Sequence, residues 1–433
     1  MRVLLLPHRF PPFGRGGVET WATHLRAGLV AAGAQVGILT RDDRDDAPLP
    51  PLSVREEHDE LGPIYWIRHR HRDERTFRDS WADPRMEAAV LHAIRAFGPD
   101  VLHVGHADGF GVAPFRLGRR FGVPVVCTLH DPKWLCVRGQ MVRPDGTRCD
   151  AVREEACTRC VADQLSAGPL RGLARRLGPT RWKDLPIPAP TVAGAVGARR
   201  WRVRQAALRG ALLGAAEVIS PSRFLAERVQ HLGLTRAVRV IGNGLPVAAP
   251  RPLPPGPLRV GWFGSDVPAK GLDTLLAAMA SVPGATLEIH GRVTRASLPP
   301  NVTLRGSYDP AEVHGRMTGV HVVCVPSSWD ENQPYVVLEA RRAGRPVLAS
   351  RVGGLPELVR DDVDGWLVEP GRIESWAGAL RALLDLERVR AAATHVRPPP
   401  TEHTLARAHL SIYAEHLAEP AMRFDAGAVP LPQ

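Results

Sequence analysis

The stretch WDENQPYVVLEA, residues 329–340, holds two glutamates, Glu331 and Glu339, with seven residues between them, one of them a proline. Pro334 suits the first turn of a helix, which leaves Glu331 in the loop ahead of it and puts Glu339 about five residues along, at about 1.5 Å of rise per residue. The two side chains then flank a helix N-terminus, where unpaired N–H groups and the helix dipole favour an anion. Lys270, in the loop VPAKG that opens another predicted helix, supplies a countercharge. A diphosphate on the N–H groups, with carboxylates beside it to accept hydroxyl hydrogen bonds, is the layout a sugar nucleotide requires. His130, His103 and His106 fall at the ends of apolar runs, and His8 and Arg9 lie beside a Gly-rich loop where a second substrate could face them.

A second set of reactive residues is the cysteines, four of the chain's six, gathered in 134–160. Their spacing, Cys136, twelve residues, Cys149, seven residues, Cys157, two residues, Cys160, ends in a Cys-x2-Cys pair, half of a tetrahedral thiolate site. The PDG turn at 144–146 can fold Cys149 back toward the others. A structural zinc is the leading expectation. An iron–sulfur cluster needs the same four thiolates, and a disulfide pair or reduced thiols are the remaining readings. Cys127 and Cys324 sit in apolar strands and read as core.

The elements that must position these residues follow from pattern. RVLLL at 2–6, a Pro/Gly loop, the helical periodicity of VETWATHLRAGLVAAGA and the strand AQVGILT form one strand, loop, helix, strand unit. PDVLHVGH and VPVVCTLHD add buried strands. After the Pro-rich VAAPRPLPPGP the same order restarts in LRVGWFGSDVPAKGLDTLLAAMASVPGATLEIHG, so two similar domains are predicted. At 433 residues the chain is long enough to bury two cores. TEHTLARAHLSIYAEHL, after RPPP at 397–400, reads as a capped terminal helix. The opening MRVLLLPHRFPP has too short an apolar run for a signal peptide, and the expectation is a cytoplasmic protein. The net charge of +11 favours an anionic partner. The mixed Arg, Leu, Ala and Trp content of 161–215 allows either a basic helix lying on an anionic membrane or a solvated one. Nucleic acid is not the expected partner, because the arginines carry no aromatic platform.

Five segments, in order, carry a family resemblance. WDENQPYVVLEARRAGRPVLASRVGGLPELVRDDVDGWLVEPG resembles the donor-site segment of the family 4 glycosyltransferases, retaining enzymes of the GT-B fold. PPFGRGGVE resembles their N-terminal Gly-rich loop, VCTLHD their strand ending in histidine, VISPSRFLAERV with VIGNGLPV their interdomain crossing, and VPAKGLDTLL their phosphate-lysine loop. The resemblance implies an α/β GT-B fold: two Rossmann-like domains facing across a cleft, with a C-terminal helix crossing back to the first. The domains would be an acceptor domain at 1–247, with an insertion at 132–215 and the cysteine knot at 134–160, a donor domain at 258–395, and a crossing helix and tail at 396–433. The four-cysteine insertion would mark a subgroup.

By position, the family implies that Glu339 holds the ribose hydroxyls and Glu331 the donor sugar ring. Backbone around Asn332, Gln333, Pro334, Tyr335 and Val336 would meet the diphosphate, and Lys270 would neutralise it as it leaves. His130 would stand at the reacting centre, and Gly16 and Gly17 would admit close backbone approach. No catalytic divalent metal is implied, and the Asp-x-Asp strings at Asp43–Asp45 and Asp362–Asp364 read as surface loops. The implied reaction is retaining transfer of a sugar from a nucleotide-diphosphate donor to a hydroxyl of a glycan, lipid-linked or small-molecule acceptor, in cell-surface polysaccharide or glycoconjugate synthesis, with peripheral contact to the inner membrane face. One departure stands out: Ser265 occupies a donor-site position where the family commonly has arginine, and Arg292 is a candidate replacement. ENQP also replaces the usual glycine-rich turn. Ser265 motivates a rival reading, a non-catalytic scaffold that binds sugar nucleotides or glycans, and ENQP leaves the donor sugar open.

Overall fold

The structure is a computed structural model describing residues 1–46, 50–70, 73–74, 76–150, 152–166, 192–233, 237–295 and 297–418. Runs such as RVLLL and VVCV have no polar alternation, so they must be covered on both faces, which parallel sheets flanked by helices achieve. The first sheet contains β1 (Arg2–Leu6), β2 (Gln35–Asp42), β3 (Val54–Asp59), β4 (Gly62–Arg68), β5 (Val101–Val104), β6 (Val125–Thr128), β7 (Glu217–Ser220) and β8 (Arg239–Val240). Their order is β3-β4-β2-β1-β5-β6-β7-β8, parallel except for the β3/β4 hairpin. The second contains β9 (Arg259–Ser265), β10 (Thr286–Arg292), β11 (Val302–Gly306), β12 (Val322–Val325), β13 (Val347–Ser350) and β14 (Gly365–Val368). It is wholly parallel, in the order β11-β10-β9-β12-β13-β14. In each sheet the order reverses direction beside its first strand, β1 or β9, and such switch points open a crevice at the strands' carboxyl ends.

The terminal helix, Glu402–Leu417, is started by Thr401, whose side chain accepts from the Thr404 N–H. It crosses back and packs on the first helix, Gly17–Ala31. Gly28 permits the contact, since a Cβ there would lie 2.6 Å from the Glu402 carbonyl oxygen. Tyr413 reaches the interior of the first domain, where its hydroxyl meets His103 Nδ1 at 2.5 Å while His103 Nε2 meets Thr128. His103 is therefore a fully buried tie between the crossing helix and β6, remote from solvent.

Part of the basic segment expected at the surface is interior. The helix Val192–Leu213 buries Leu208, Leu212 and Arg204, and the Arg204 guanidinium donates to the Lys133 carbonyl at 2.7 Å. The arginines that made it look amphipathic include one spent on the protein's own backbone. The other basic stretch, LRGLARRLGPTRWK, lies outside the described residues. No helix among the described residues is long and apolar enough to cross a membrane.

Candidate active site

Glu331 is the centre of the second domain's face. Its Oε1 accepts from Lys270 Nζ at 2.7 Å, Ser327 Oγ at 2.8 Å and Trp329 Nε1 at 2.8 Å. Burial alone would raise this carboxyl, but the Lys270 ammonium and the two further donors hold it below the usual range, so it stays ionised. The Lys270 ammonium also sits 5.3 Å from the centre of the Trp329 ring. Ser327 and Trp329 were not singled out in the sequence; a polar residue four before a buried glutamate and an indole two before it were the available signals.

Two glycines make this convergence possible. Lys270 ends the short turn Pro268–Lys270, and Gly271 follows at φ +69°, where a Cβ would sit 1.8 Å from the Pro326 oxygen. Gly353, at φ +56°, would bring a Cβ to 2.1 Å from the Glu331 oxygen, and the Gly354 N–H donates to that oxygen at 2.7 Å. The loop 330–334 is thus backed on this side by the main chain of 353–354.

The helix predicted after this loop runs Tyr335–Arg342, with Pro334 as its N-cap rather than in its first turn. Pro334 is in extended conformation, which suits the boundary position and leaves the first N–H groups of the helix without intrahelical acceptors. Glu339 falls on the fifth helical residue. Burial pushes its carboxyl up to about 7, with Arg342 only partly opposing. Asn332 and Gln333 spend their side chains across the cleft. Asn332 Nδ2 donates to the Leu129 and His130 carbonyls at 2.9 and 3.1 Å, and its Oδ1 receives Ser222 Oγ. Gln333 Oε1 accepts the Asn243 N–H at 2.5 Å. Glu357 accepts the Arg223 and Phe224 N–H groups at 2.9 and 2.6 Å, at the start of the first-domain helix Arg223–His231.

Facing this, the first domain brings His130 to just beyond the end of β6, with its ring 4.5 Å from Trp21 and its Nε2 buried with no partner among the described residues. Burial, aided by His106, lowers His130 to about 3, so the ring is neutral. Gly16 and Gly17 are exposed at the start of the first helix, and a Cβ on Gly17 would lie 3.9 Å from the Tyr335 ring, so the Gly loop meets the helix Tyr335–Arg342. His106 lies beside His130. Its Nδ1 accepts the Asp108 N–H at 2.9 Å and its Nε2 contacts Asp131 Oδ2 at 2.7 Å, a pattern that places the proton on Nε2. The His8 ring lies tilted against His106 at 4.3 Å and contacts Glu19 at 3.5 Å. Arg9 pairs with Asp43.

Ser265 is exposed at the end of β9, and Arg292 is its register partner on β10. A guanidinium is therefore attached to the backbone position beside the serine. In the Asp-x-Asp strings, Asp43 pairs with Arg9, Asp45 with Arg70, Asp362 with Arg388 and Asp364 with Arg360.

Cys136, Cys149, Cys157 and Cys160 line one cavity, with Cys157 and Cys160 on the helix Glu154–Ser166. Burial, together with the three neighbouring sulfurs, raises the Cys157 thiol to about 12. None of the six cysteines forms a disulfide, and among the described residues no group of three or more His, Cys, Asp or Glu is arranged to hold a metal ion. Cys127 and Cys324 are core residues, as expected.

Comparison with known proteins supports the fold. The sequence family described as Glycosyltransferase Family 4 matches residues 15–160, and that described as Glycosyl transferases group 1 matches residues 257–386. Two curated relatives, both D-inositol 3-phosphate glycosyltransferases, come from Segniliparus rotundus and Mycolicibacterium smegmatis. The first is 36% identical over 158 residues, 32% of this chain and 35% of the relative. The second is 32% identical over 195 residues, 41% of this chain and 45% of the relative. The match thus spans less than half the length of either relative. Among solved structures, a sucrose-phosphate synthase from Thermosynechococcus elongatus superposes with a TM-score of 0.69 at 21% identity, covering 97% of this chain and all of that one. Anabaena HepE in complex with UDP and glucose gives 0.60 at 17%, covering 96% and 99%. The two facing Rossmann-like sheets give this chain the GT-B fold, and its two halves match the models described as Glycosyltransferase Family 4 and Glycosyl transferases group 1, one on each side of the cleft.

Proposed function

We propose that the protein is a retaining glycosyltransferase that moves a sugar from a nucleoside-diphosphate donor to an acceptor hydroxyl. The observation that carries this is the ionised, buried Glu331 paired with Lys270 beside a helix N-terminus, with the neutral His130 on the other domain, whose buried Nε2 has no partner among the described residues. In this reading the helix N–H groups and Lys270 stabilise the diphosphate as the glycosidic bond breaks, and Glu331 anchors a sugar hydroxyl. Glu339 accepts from the ribose, and His130 Nε2 meets the sugar at the reacting carbon. Charge developing in the transition state is met by groups already in place, which is the economical route to rate. The assignment of 1–247 to acceptor, 258–395 to donor and 396–433 to crossing helix and tail belongs to the same proposal.

The acceptor is a glycan, a lipid-linked saccharide or a small molecule. The two curated relatives are named for inositol 3-phosphate, which keeps a phosphorylated polyol in the acceptor panel. A lipid-linked acceptor, with the net charge of +11, supports a position on the surface of an anionic membrane. Co-sedimentation with vesicles containing anionic lipid tests it. For the four cysteines, the shared cavity and the Cys-x2-Cys pair support a structural metal, zinc or an iron–sulfur cluster. Metal analysis of anaerobically purified protein tests that, and a metal-free, fully active preparation refutes it. The scaffold reading rests on Ser265 and is weakened by Arg292 at the adjacent register position.

The decisive experiment is donor turnover over UDP-, GDP- and TDP-sugars with a mixed acceptor panel. Release of nucleoside diphosphate with acceptor glycosylation is the expected result. Nucleotide binding without turnover of any donor would favour the scaffold.

A further inference from the structure

The residue before Glu331 is held from the other domain. Asp330 has a side chain only 4% exposed, yet it is ionisable and lies on a loop at the cleft. One of its oxygens meets the Arg148 guanidinium at 2.6 Å and the other meets Arg228 at 2.6 Å. Both arginines belong to the first domain. Arg228 also donates to the Asp150 carbonyl at 3.3 Å, so the two arms are tied to each other.

Arg148 is presented by a hairpin. Val142 bridges Arg148 in antiparallel fashion, the Arg143 N–H donates to the Thr147 oxygen at 2.8 Å, and the Cys149 N–H donates to the Met141 oxygen at 2.7 Å. The residue after Arg148 is Cys149, which lines the cavity shared with Cys136, Cys157 and Cys160. One hairpin strand therefore carries, side by side, a thiol of the cluster and a cation that crosses the cleft.

We infer that Arg148 and Arg228 form a latch on Asp330 that positions Glu331 for the donor, and that the cysteine cluster holds the Arg148 arm of that latch in place. A buried carboxylate cannot lose its cations cheaply, because the charge would be left unsolvated. Opening the cleft at this loop separates Asp330 from both guanidinium groups, so the closed arrangement is favoured while both are in reach. Glu331 follows Asp330 directly, and any slackness at Asp330 moves the carboxylate that Lys270, Ser327 and Trp329 hold. Asp330, Arg148 and Arg228 are positioning residues in this account; they act through Glu331.

The inference rests on the glycosyl-transfer reading only for its kinetic arm, and the test has a second arm that needs no ligand. Amide hydrogen exchange over 327–336 in the full-length protein is compared among wild type, Arg148→Ala, Arg148→Lys, Cys149→Ser and the double variant Arg148→Ala/Cys149→Ser. With Arg148 about two-fifths exposed, removal of its side chain is expected to speed exchange in this segment by about tenfold and to raise the donor KM by a similar factor, with a smaller change in kcat. The lysine variant recovers part of the loss. Cys149→Ser shifts the same segment in the same direction, and the double variant is no worse than Arg148→Ala alone.

Exchange unchanged in Arg148→Ala, or a lowered melting temperature with donor KM untouched, overturns the latch. Additive effects of the two single variants overturn the link to the cysteines. If wild type turns over no donor, the exchange arm still decides the latch, and the loss counts against the proposed activity alone.

Discussion

The two faces of the cleft are built on opposite terms. On the second domain's face the key carboxylate already has its partners: Lys270, Ser327 and Trp329 all donate to a single oxygen of Glu331. On the first domain's face the key imidazole keeps one nitrogen open, since His130 Nε2 is buried with no hydrogen-bond partner among the described residues. A group saturated by the protein is oriented before substrate arrives. A buried polar atom left open costs stability, and such a cost is met at sites that a ligand completes. Under the proposed function, the second domain's face is preorganised for the diphosphate sugar, while the opposing face keeps hydrogen-bonding capacity for the reacting sugar and its acceptor.

The largest effect should come from the saturated face. Glu331→Ala is expected to lower kcat/KM by roughly a thousandfold, since it removes a donor contact and leaves Lys270 unpaired. Circular dichroism should show an intact fold, and near wild-type turnover would undo the assignment. Lys270→Ala should weaken nucleoside-diphosphate binding by roughly a hundredfold, measured by calorimetry, because both the phosphate countercharge and the partner of Glu331 are lost.

His130→Ala probes the open face. Turnover is expected to fall by roughly ten- to a hundredfold while nucleoside-diphosphate affinity holds, so the contrast between faces appears as a kcat effect against a Kd effect. His130 is pushed to about 3, so no inflection near pH 6.5 should arise from it. An inflection there that vanishes in His130→Ala would show the ring to be far less buried in solution.

Glu339 gives a pH dependence of its own. Its folded value of about 7 lies above the ordinary 4.5, so the folded protein keeps a proton that the unfolded chain has already lost. Stability contributed by this group is therefore present below about 4.5 and is lost as pH rises to about 7. Above that, the carboxylate is ready to accept from the ribose, and nucleotide affinity should increase between pH 6 and 8 by about threefold to tenfold. Glu339→Gln should flatten that rise and stabilise the unliganded protein at pH 8. The smallest effect is expected at Arg292: its removal should weaken diphosphate binding about threefold, consistent with an exposed cation near Ser265.

Much of the fold could be read from pattern because its strands are apolar on both faces and its loops carry Gly and Pro at the right points. RVLLL, the linker after β8 and the restart at β9 are visible in composition alone. The positions of Glu331 in a loop, Lys270 in a turn, His130 just past a strand and Glu339 within the following helix were legible in the pattern, while their roles belong to the proposed function. The cross-cleft partners were not. Arg148, Arg228 and Glu357 look like ordinary surface charges until two domains meet, and the uses of Asn332 and Gln333 depend on which carbonyls lie opposite. Nor could composition separate buried from solvated arginine: Arg204 sits in a run that looks like surface, yet its guanidinium satisfies a backbone carbonyl in the interior. His103 shows the same limit, a strand-end histidine consumed by Tyr413 and Thr128.

The most direct measurement is nucleoside-diphosphate release from a panel of UDP-, GDP- and TDP-sugars, run in parallel on wild type and Glu331→Ala with nucleotide affinity determined for both. The account predicts that wild type releases the nucleoside diphosphate from at least one donor and that the variant, still folded and still binding nucleotide, releases none. Equal release from both proteins would contradict it.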